Sequence, residues 1–140
     1  MAGYSGTPLA RKLGIREGDA LALLSAPDGF AIDDLPLGVE VRRRARGVTE
    51  VIVSFHTRQA ELARRFPTLM RALAVDGGLW VAWPKRTSGV ETDITEDVVR
   101  EVALPTGMVD NKVCAIDDTW SGLRLVLRKE LRPGRTTAAG

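Results

Sequence analysis

The chain is poor in the residues that most often carry chemistry. Its single cysteine, Cys114, excludes an internal disulfide and a cysteine-cluster metal site, and it suits a reducing cytoplasm. Its single histidine, His56, argues against zinc and removes every paired-histidine motif. Metal ligation is therefore not expected. Aromatic residues make up only 5% of the chain. No apolar run reaches the roughly 18 residues of a membrane-spanning helix. The opening MAGYSGTPLARKLG has no apolar signal core, so the expected place is the cytoplasm rather than outside the cell. Twenty basic residues against 18 acidic ones leave a net charge of +2, too little to argue for nucleic acid as a partner.

The 140 residues suffice for one domain with a core of its own. The order of elements starts after a flexible lead-in over residues 1–6. A short helix is expected over Pro8–Leu13, with Pro8 at its first position and Gly14 closing it. Asp19–Leu24 (DALALL) reads as a strand buried on both faces, ended by the turn cluster Ser25–Phe30. Val39–Arg43 alternates apolar and charged residues and reads as an edge strand. The basic run Arg42, Arg43, Arg44 and Arg46 follows, then a second buried strand, Glu50–Phe55. Leu62, Phe66, Leu69 and Leu73 share one helical stripe behind a cap at Thr57. Pro67 within it predicts a kink or two abutting helices, and Gly77-Gly78 an end.

The stretch Gly77–Asp93 (GGLWVAWPKRTSGVETD) joins a glycine turn, a fully buried strand over Leu79–Trp83 and an abrupt polar loop. Such strands lie in the middle of α/β sheets, and ligands gather at the loops after them. Thr95 caps the next helix, with Glu96 and Asp97 in its first turn and Val98, Val99 and Val102 facing inward. Val109–Ile116 and Leu123–Arg128 are expected to close the chain as a hairpin across Asp117–Gly122, and a disordered tail is expected over residues 131–140, behind a single domain over 7–130.

Alternating strands and helices predict a mostly parallel sheet, and the terminal hairpin adds an antiparallel strand. The fold class is α/β, a single three-layer Rossmann-like domain resembling a truncated class I methyltransferase, with strand order 2-1-3-4-6-5. Only Arg44–Thr49 separates the second and third strands, too little for a crossover helix. Either an extended return passes beneath the sheet, or the second strand runs antiparallel. The phrases YSGTPLARKLGI, WVAWPK and SGVETDITEDVVREVALPTGMVDNKVCAIDDTWSGLRLV resemble a bacterial family of short cytoplasmic proteins, common in actinobacteria, over about Tyr4 to Arg128. That resemblance implies the fold and supplies no mechanism.

A methyltransferase needs a glycine-rich turn after its first strand and, for the ribose hydroxyls, an acidic residue at the end of its second. The first turn here has one glycine and a proline, and the second strand ends in arginines. The signature for S-adenosylmethionine is absent, and no cofactor is expected. The loops beyond the strand ends would gather His56, Lys85, Ser88, Asp93, Asp118 and Trp120 as candidate ligand-binding residues, with no catalytic residue assigned. Lys85 and Ser88 can donate to a phosphate or carboxylate, with Asp93 orienting Lys85. His56 sits where a general base would sit, although a lone histidine beside a helix start is more often structural. Trp120 and Trp83 can stack a planar group, while Trp80, of opposite parity to Trp83, belongs to the core.

The function expected from the chain alone is a non-catalytic methyltransferase-like module that works through a protein partner or a small ligand. An exposed apolar patch around Trp120 and Phe30 would favour the partner. The alternatives are a small anion-binding protein or enzyme built on the Lys85–Asp93 loop, and a methyltransferase with an unusual cofactor turn.

Overall fold

The computed structural model describes residues 7–133. The expected lead-in over 1–6 and the tail beyond 133 lie outside them. After the short helix α1 (Leu9–Lys12) come strands β1 (Ala20–Leu24), β2 (Glu40–Arg42) and β3 (Thr49–Phe55). Helix α2 (Gln59–Ala72) leads into β4 (Leu73–Pro84), helix α3 (Glu96–Ala103) into β5 (Met108–Ala115), and β6 (Trp120–Leu127) completes the sheet. The six strands lie in the order β2-β1-β3-β4-β6-β5. All neighbours among the first four are parallel, and β6 runs antiparallel to both β4 and β5. Both expected features, the parallel sheet and the hairpin strand inserted against it, are present. Among the described residues no helix is long and apolar enough to cross a membrane.

Strand β2 is parallel, which settles the direction that the short connection left open. Its length explains how. Arg42 lies level with Ala22 and so with Ile52, which puts Thr49 three residues further down. That return is about 10 Å at the usual rise of a strand. The connecting residues 43–48 reach roughly 20 Å when extended, so no helix is needed. Arg42 clasps the return. Its Nη1 donates to the carbonyls of Arg46 (3.0 Å) and Val48 (3.1 Å) and to Thr49 Oγ1 (3.1 Å). One member of the basic run is thus committed to the fold.

Alternation along each strand divides the core into two layers. Ile52, Leu79, Val81, Trp83, Leu123 and Leu125 face α2 and α3. Val51, Val53, Phe55, Trp80 and Ala82 face α1 and the irregular chain after β1. Trp80 and Trp83 therefore point to opposite faces, as their parity requires. On the helical side Leu62, Phe66 and Leu69 of α2 are fully buried, each contributing about 1.5–3 kcal/mol over an exposed position. The other side has no long helix. There the Trp80 indole N–H donates to the Leu13 carbonyl at 3.0 Å and ties α1 to the sheet.

Four local expectations are corrected. Pro67 does not divide α2, because it lies on the exposed side, where the carbonyl it leaves unpaired, that of exposed Ala63, faces water. Thr57 does not cap α2. Arg58 holds the cap position without a side-chain bond, and Asp93 Oδ1 accepts the Gln59 N–H (2.7 Å) from the facing loop. Leu73 is extended (φ −76°, ψ 132°) and starts β4 instead of continuing the helical stripe. Gly77 and Gly78 lie inside β4. A Cβ on Gly77 would sit 2.6 Å from the Glu50 carbonyl oxygen, where the β3–β4 register shifts.

A Gly→Ala change free of clash stabilises by about 0.4–1 kcal/mol through the unfolded chain. Gly77→Ala meets backbone instead, and is expected to destabilise by about 1–3 kcal/mol. Urea unfolding checks the sign.

Candidate functional site

The strand order reverses between β1 and β3, since β2 lies on one side of β1 and β4 on the far side of β3. In open α/β sheets a ligand crevice forms outside the carboxyl ends of the strands at that point. A crevice of about 300 Å³ lies there. Ser25 flanks it at the end of β1. Phe55, His56, Thr57 and Arg58 follow from β3 into the start of α2, and Glu61 and Trp120 complete the lining.

The backbone at Ser25 is in the left-handed region, φ +59°. For a residue with a Cβ this costs about 1–3 kcal/mol, and such positions concentrate at binding sites. The strain turns the chain sharply outward at the strand end. The floor on one side is aromatic. Phe55 meets Phe30 and Trp120 edge to face, each with ring centroids 5.0 Å apart, and Trp120 is half-buried at the end of the row. Trp120 belongs to β6, paired with Pro84, and not to a connecting loop. Asp117 makes the turn before it, its Oδ1 accepting the Thr119 and Trp120 N–H groups at 2.9 and 2.8 Å.

His56 is held from both sides. Its Nε2 lies 2.7 Å from Ser54 Oγ and its Nδ1 contacts the Glu61 carboxylate. Burial pushes its pKa below the ordinary value of 6.5 and Arg65 lowers it further, while Glu61 opposes both. The ring is then neutral near pH 7. The tautomer that suits both partners carries its proton on Nδ1, donating to Glu61, and accepts the Ser54 hydroxyl proton at Nε2. The chain serine–histidine–carboxylate has the order of a nucleophilic triad. It is not one here, because Ser54 is only 1% exposed and does not line the crevice. With both nitrogens engaged and its side chain 1% exposed, His56 offers the crevice no free base.

The other candidates divide. Ser88 Oγ donates to the Lys85 carbonyl (2.7 Å) and accepts the Val90 N–H (3.1 Å), so it shapes its own loop. Asp93 caps α2 and does not orient Lys85, and Thr92 Oγ1 reinforces the contact by donating to the Thr57 carbonyl at 2.7 Å. Lys85 is anchored through its backbone N–H to the Thr119 carbonyl (2.8 Å), which brings its loop beside the hairpin. Asp118 is exposed in the turn. Of the six, His56 and Trp120 share the crevice, and Lys85, Ser88, Asp93 and Asp118 do not line it. Ser25 and Arg58 belong to the strand-end segments expected at a ligand edge without being singled out there, and Glu61 was missed. The signal for Glu61 was its place one helical turn inside α2, facing a histidine at the strand end. Among the described residues no group of three or more His, Cys, Asp or Glu side chains gathers to hold a metal ion.

No model of a protein family matches the chain, and no curated protein matches it. Solved structures do. A SAM-dependent methyltransferase from Aquifex aeolicus superposes with a TM-score of 0.60 at 13% identity, over 84% of this chain and 86% of its own. The ribosomal protein L11 methylase of Lactobacillus delbrueckii subsp. bulgaricus gives 0.56 at 10%, over 86% and 74%. The magnesium protoporphyrin IX methyltransferase of Synechocystis PCC 6803, with bound SAM, gives 0.54 at 7%, over 86% and 74%. The fold is a methyltransferase-like Rossmann fold.

S-adenosylmethionine (SAM) is bound in that last structure, so the fit of this site to it can be tested. The cofactor turn calls for glycines where backbone and ligand touch. The turn here has one glycine, Gly29 (φ +80°), and beside it Pro27, which has no backbone N–H to offer. Beyond β2 stand Arg43 and Arg44, with no carboxylate for ribose hydroxyls, and Glu40 is paired with Arg42. The residues present do not fit the cofactor.

Since His56 is the only histidine, the interval below pH 6.5 isolates it. Its folded pKa is depressed, so as pH falls through 6.5 the unfolded chain takes the proton first. Stability is fully present above that pH and declines towards the folded pKa, by at most about 1.4 kcal/mol per pH unit. Urea unfolding between pH 7.5 and pH 5 should show this slope, and His56→Gln should flatten it. A slope unchanged in His56→Gln would place its source elsewhere.

Proposed function

We propose that the protein is a methyltransferase-like module that transfers no methyl group and binds a small anionic ligand in the crevice between β1 and β3. One observation carries the reading: the switch-point crevice is framed by strained Ser25, exposed Arg58 and half-buried Trp120. About 300 Å³ is at the lower end of small-molecule sites. Trp120 offers a ring edge or face to a planar group. Arg58, at the positive start of α2, suits a carboxylate or phosphate.

Nothing in the crevice suits it to group transfer. Its histidine is engaged at both nitrogens, and the nearest hydroxyl in a catalytic order is buried. A protein partner at Trp120 is less well supported than a ligand, because Phe30 and Trp120 are half-buried against Phe55.

Trp80 and Trp83 are buried, so Trp120 is the indole that a crevice ligand should perturb. Benzoate, nicotinate and adenosine monophosphate serve as planar anionic probes. At least one is expected to change the tryptophan emission saturably. Trp120→Phe should remove the signal, and Arg58→Ala should weaken binding about tenfold or more with an unchanged Tm. No response to any probe, or full binding by Arg58→Ala, contradicts the reading.

A further inference from the structure

The amino-terminal end of the sheet, opposite the crevice, holds an arrangement that the reading above does not use. Arg124 of β6 lies half-buried on the face without long helices. It rests on Gly78, where a Cβ would come within 2.4 Å of its Nε. The bare backbone of β4 at that glycine therefore makes the bed on which the guanidinium lies. A guanidinium moved out of water normally meets a carboxylate. Arg124 has none. Among the described residues no ion pair or side-chain hydrogen bond holds it, and its charged neighbours in the fold include two more arginines, Arg16 and Arg132. Burial and these two like charges all work against its charged form.

A depression of about 860 Å³ opens on this group. Arg11, Gly14, Arg16 and Arg124 line it, together with the carboxylates Glu17 and Asp34. Both carboxylates are exposed, and neither forms an ion pair with an arginine of the depression. Arg132 donates its Nε to the Leu127 carbonyl (2.9 Å), which fixes its position beside the site. Three lining arginines against two lining carboxylates, with Arg132 near Arg124, leave the region net cationic.

We propose that this depression is an anion site for a small molecule carrying a diphosphate group, with Arg124 as its central contact and Arg16 and Arg11 as flanking ones. Planar guanidinium forks match phosphate oxygens two at a time, and a multiply charged anion relieves the mutual repulsion of several cations, which a single carboxylate does less well. The volume exceeds what a lone inorganic ion fills, and it falls within the range of metabolite sites. The site is separate from the switch-point crevice and shares no lining residue with it.

The probe is inorganic pyrophosphate, titrated calorimetrically into the full chain in chloride buffer at matched ionic strength. Saturable binding is expected. Arg124→Gln should weaken it about tenfold or more, without lowering the Tm, since it removes a desolvated and repelled charge. Arg16→Gln, at an exposed position that leaves the Gly78 contact intact, should also weaken it. Arg58→Ala, in the other crevice, should leave it unchanged. No pyrophosphate binding by the native chain, undiminished binding by both Arg124→Gln and Arg16→Gln, or loss in Arg58→Ala alone would overturn the proposal. Failure of the crevice probes does not touch this result, because the two sites are read with different variants.

Discussion

The structure depends on burying both faces of one sheet with long helices on only one side. β1 and nearly all of β3 are buried throughout, so neither face can be left to water. α2 and α3 cover one face with continuous apolar stripes. The other is closed by α1 and the irregular chain that carries Phe30, Ile32, Leu35 and Val39. This cover cannot satisfy its own backbone as a long helix does, and it needs specific ties. The Trp80–Leu13 hydrogen bond is the main one, and the absence of a Cβ at Gly122 leaves room for Ile116 and the Trp80 ring on the same face.

That economy shapes the chemistry. Where β1 turns straight into irregular chain there is no first crossover helix behind it, and the turn is made by strained Ser25. The aromatic row Phe30–Phe55–Trp120 lies where the cover meets the strand ends. Most polar side chains around the crevice are spent on holding connections together. Asp93 and Thr92 fasten the loop after β4 to α2, Asp117 sets the hairpin, and Ser54 with Glu61 fixes His56. What remains open to a ligand is mainly cationic and aromatic. Such a set can donate to an anion and stack on a planar group.

Much of the architecture was legible in the sequence because it rests on period and length. The buried strands at residues 20–24, 50–55 and 79–83 and the Thr95 cap follow from runs of apolar residues and their flanks, while the strand order came from the resemblance to the class I methyltransferase sheet. What was not legible depends on partners distant in sequence. Pro67 reads as a break unless one knows which side of α2 meets water. Gly77-Gly78 reads as a turn until Glu50 and Arg124 are seen against it. Arg42 reads as part of a solvated basic run, while three of its acceptors lie four to seven residues on. Asp93 reads as a ligand contact, while its real partner, Gln59, is 34 residues away. The crevice lies at the strand ends where the candidates were sought, but the strained backbone at Ser25 and the contact of His56 with Glu61 have no signature in the local sequence.

This sheet keeps the methyltransferase order, while its first turn has a single glycine and its second strand is followed by arginines. Calorimetric titration with S-adenosylmethionine and S-adenosylhomocysteine tests the misfit of these residues to the cofactor most directly, since the product binds without turnover. The account predicts no saturable heat from either. Micromolar binding of either one, abolished by substitution in the Ser25–Phe30 turn, would contradict it and return the protein to the methyltransferases in function as well as in fold.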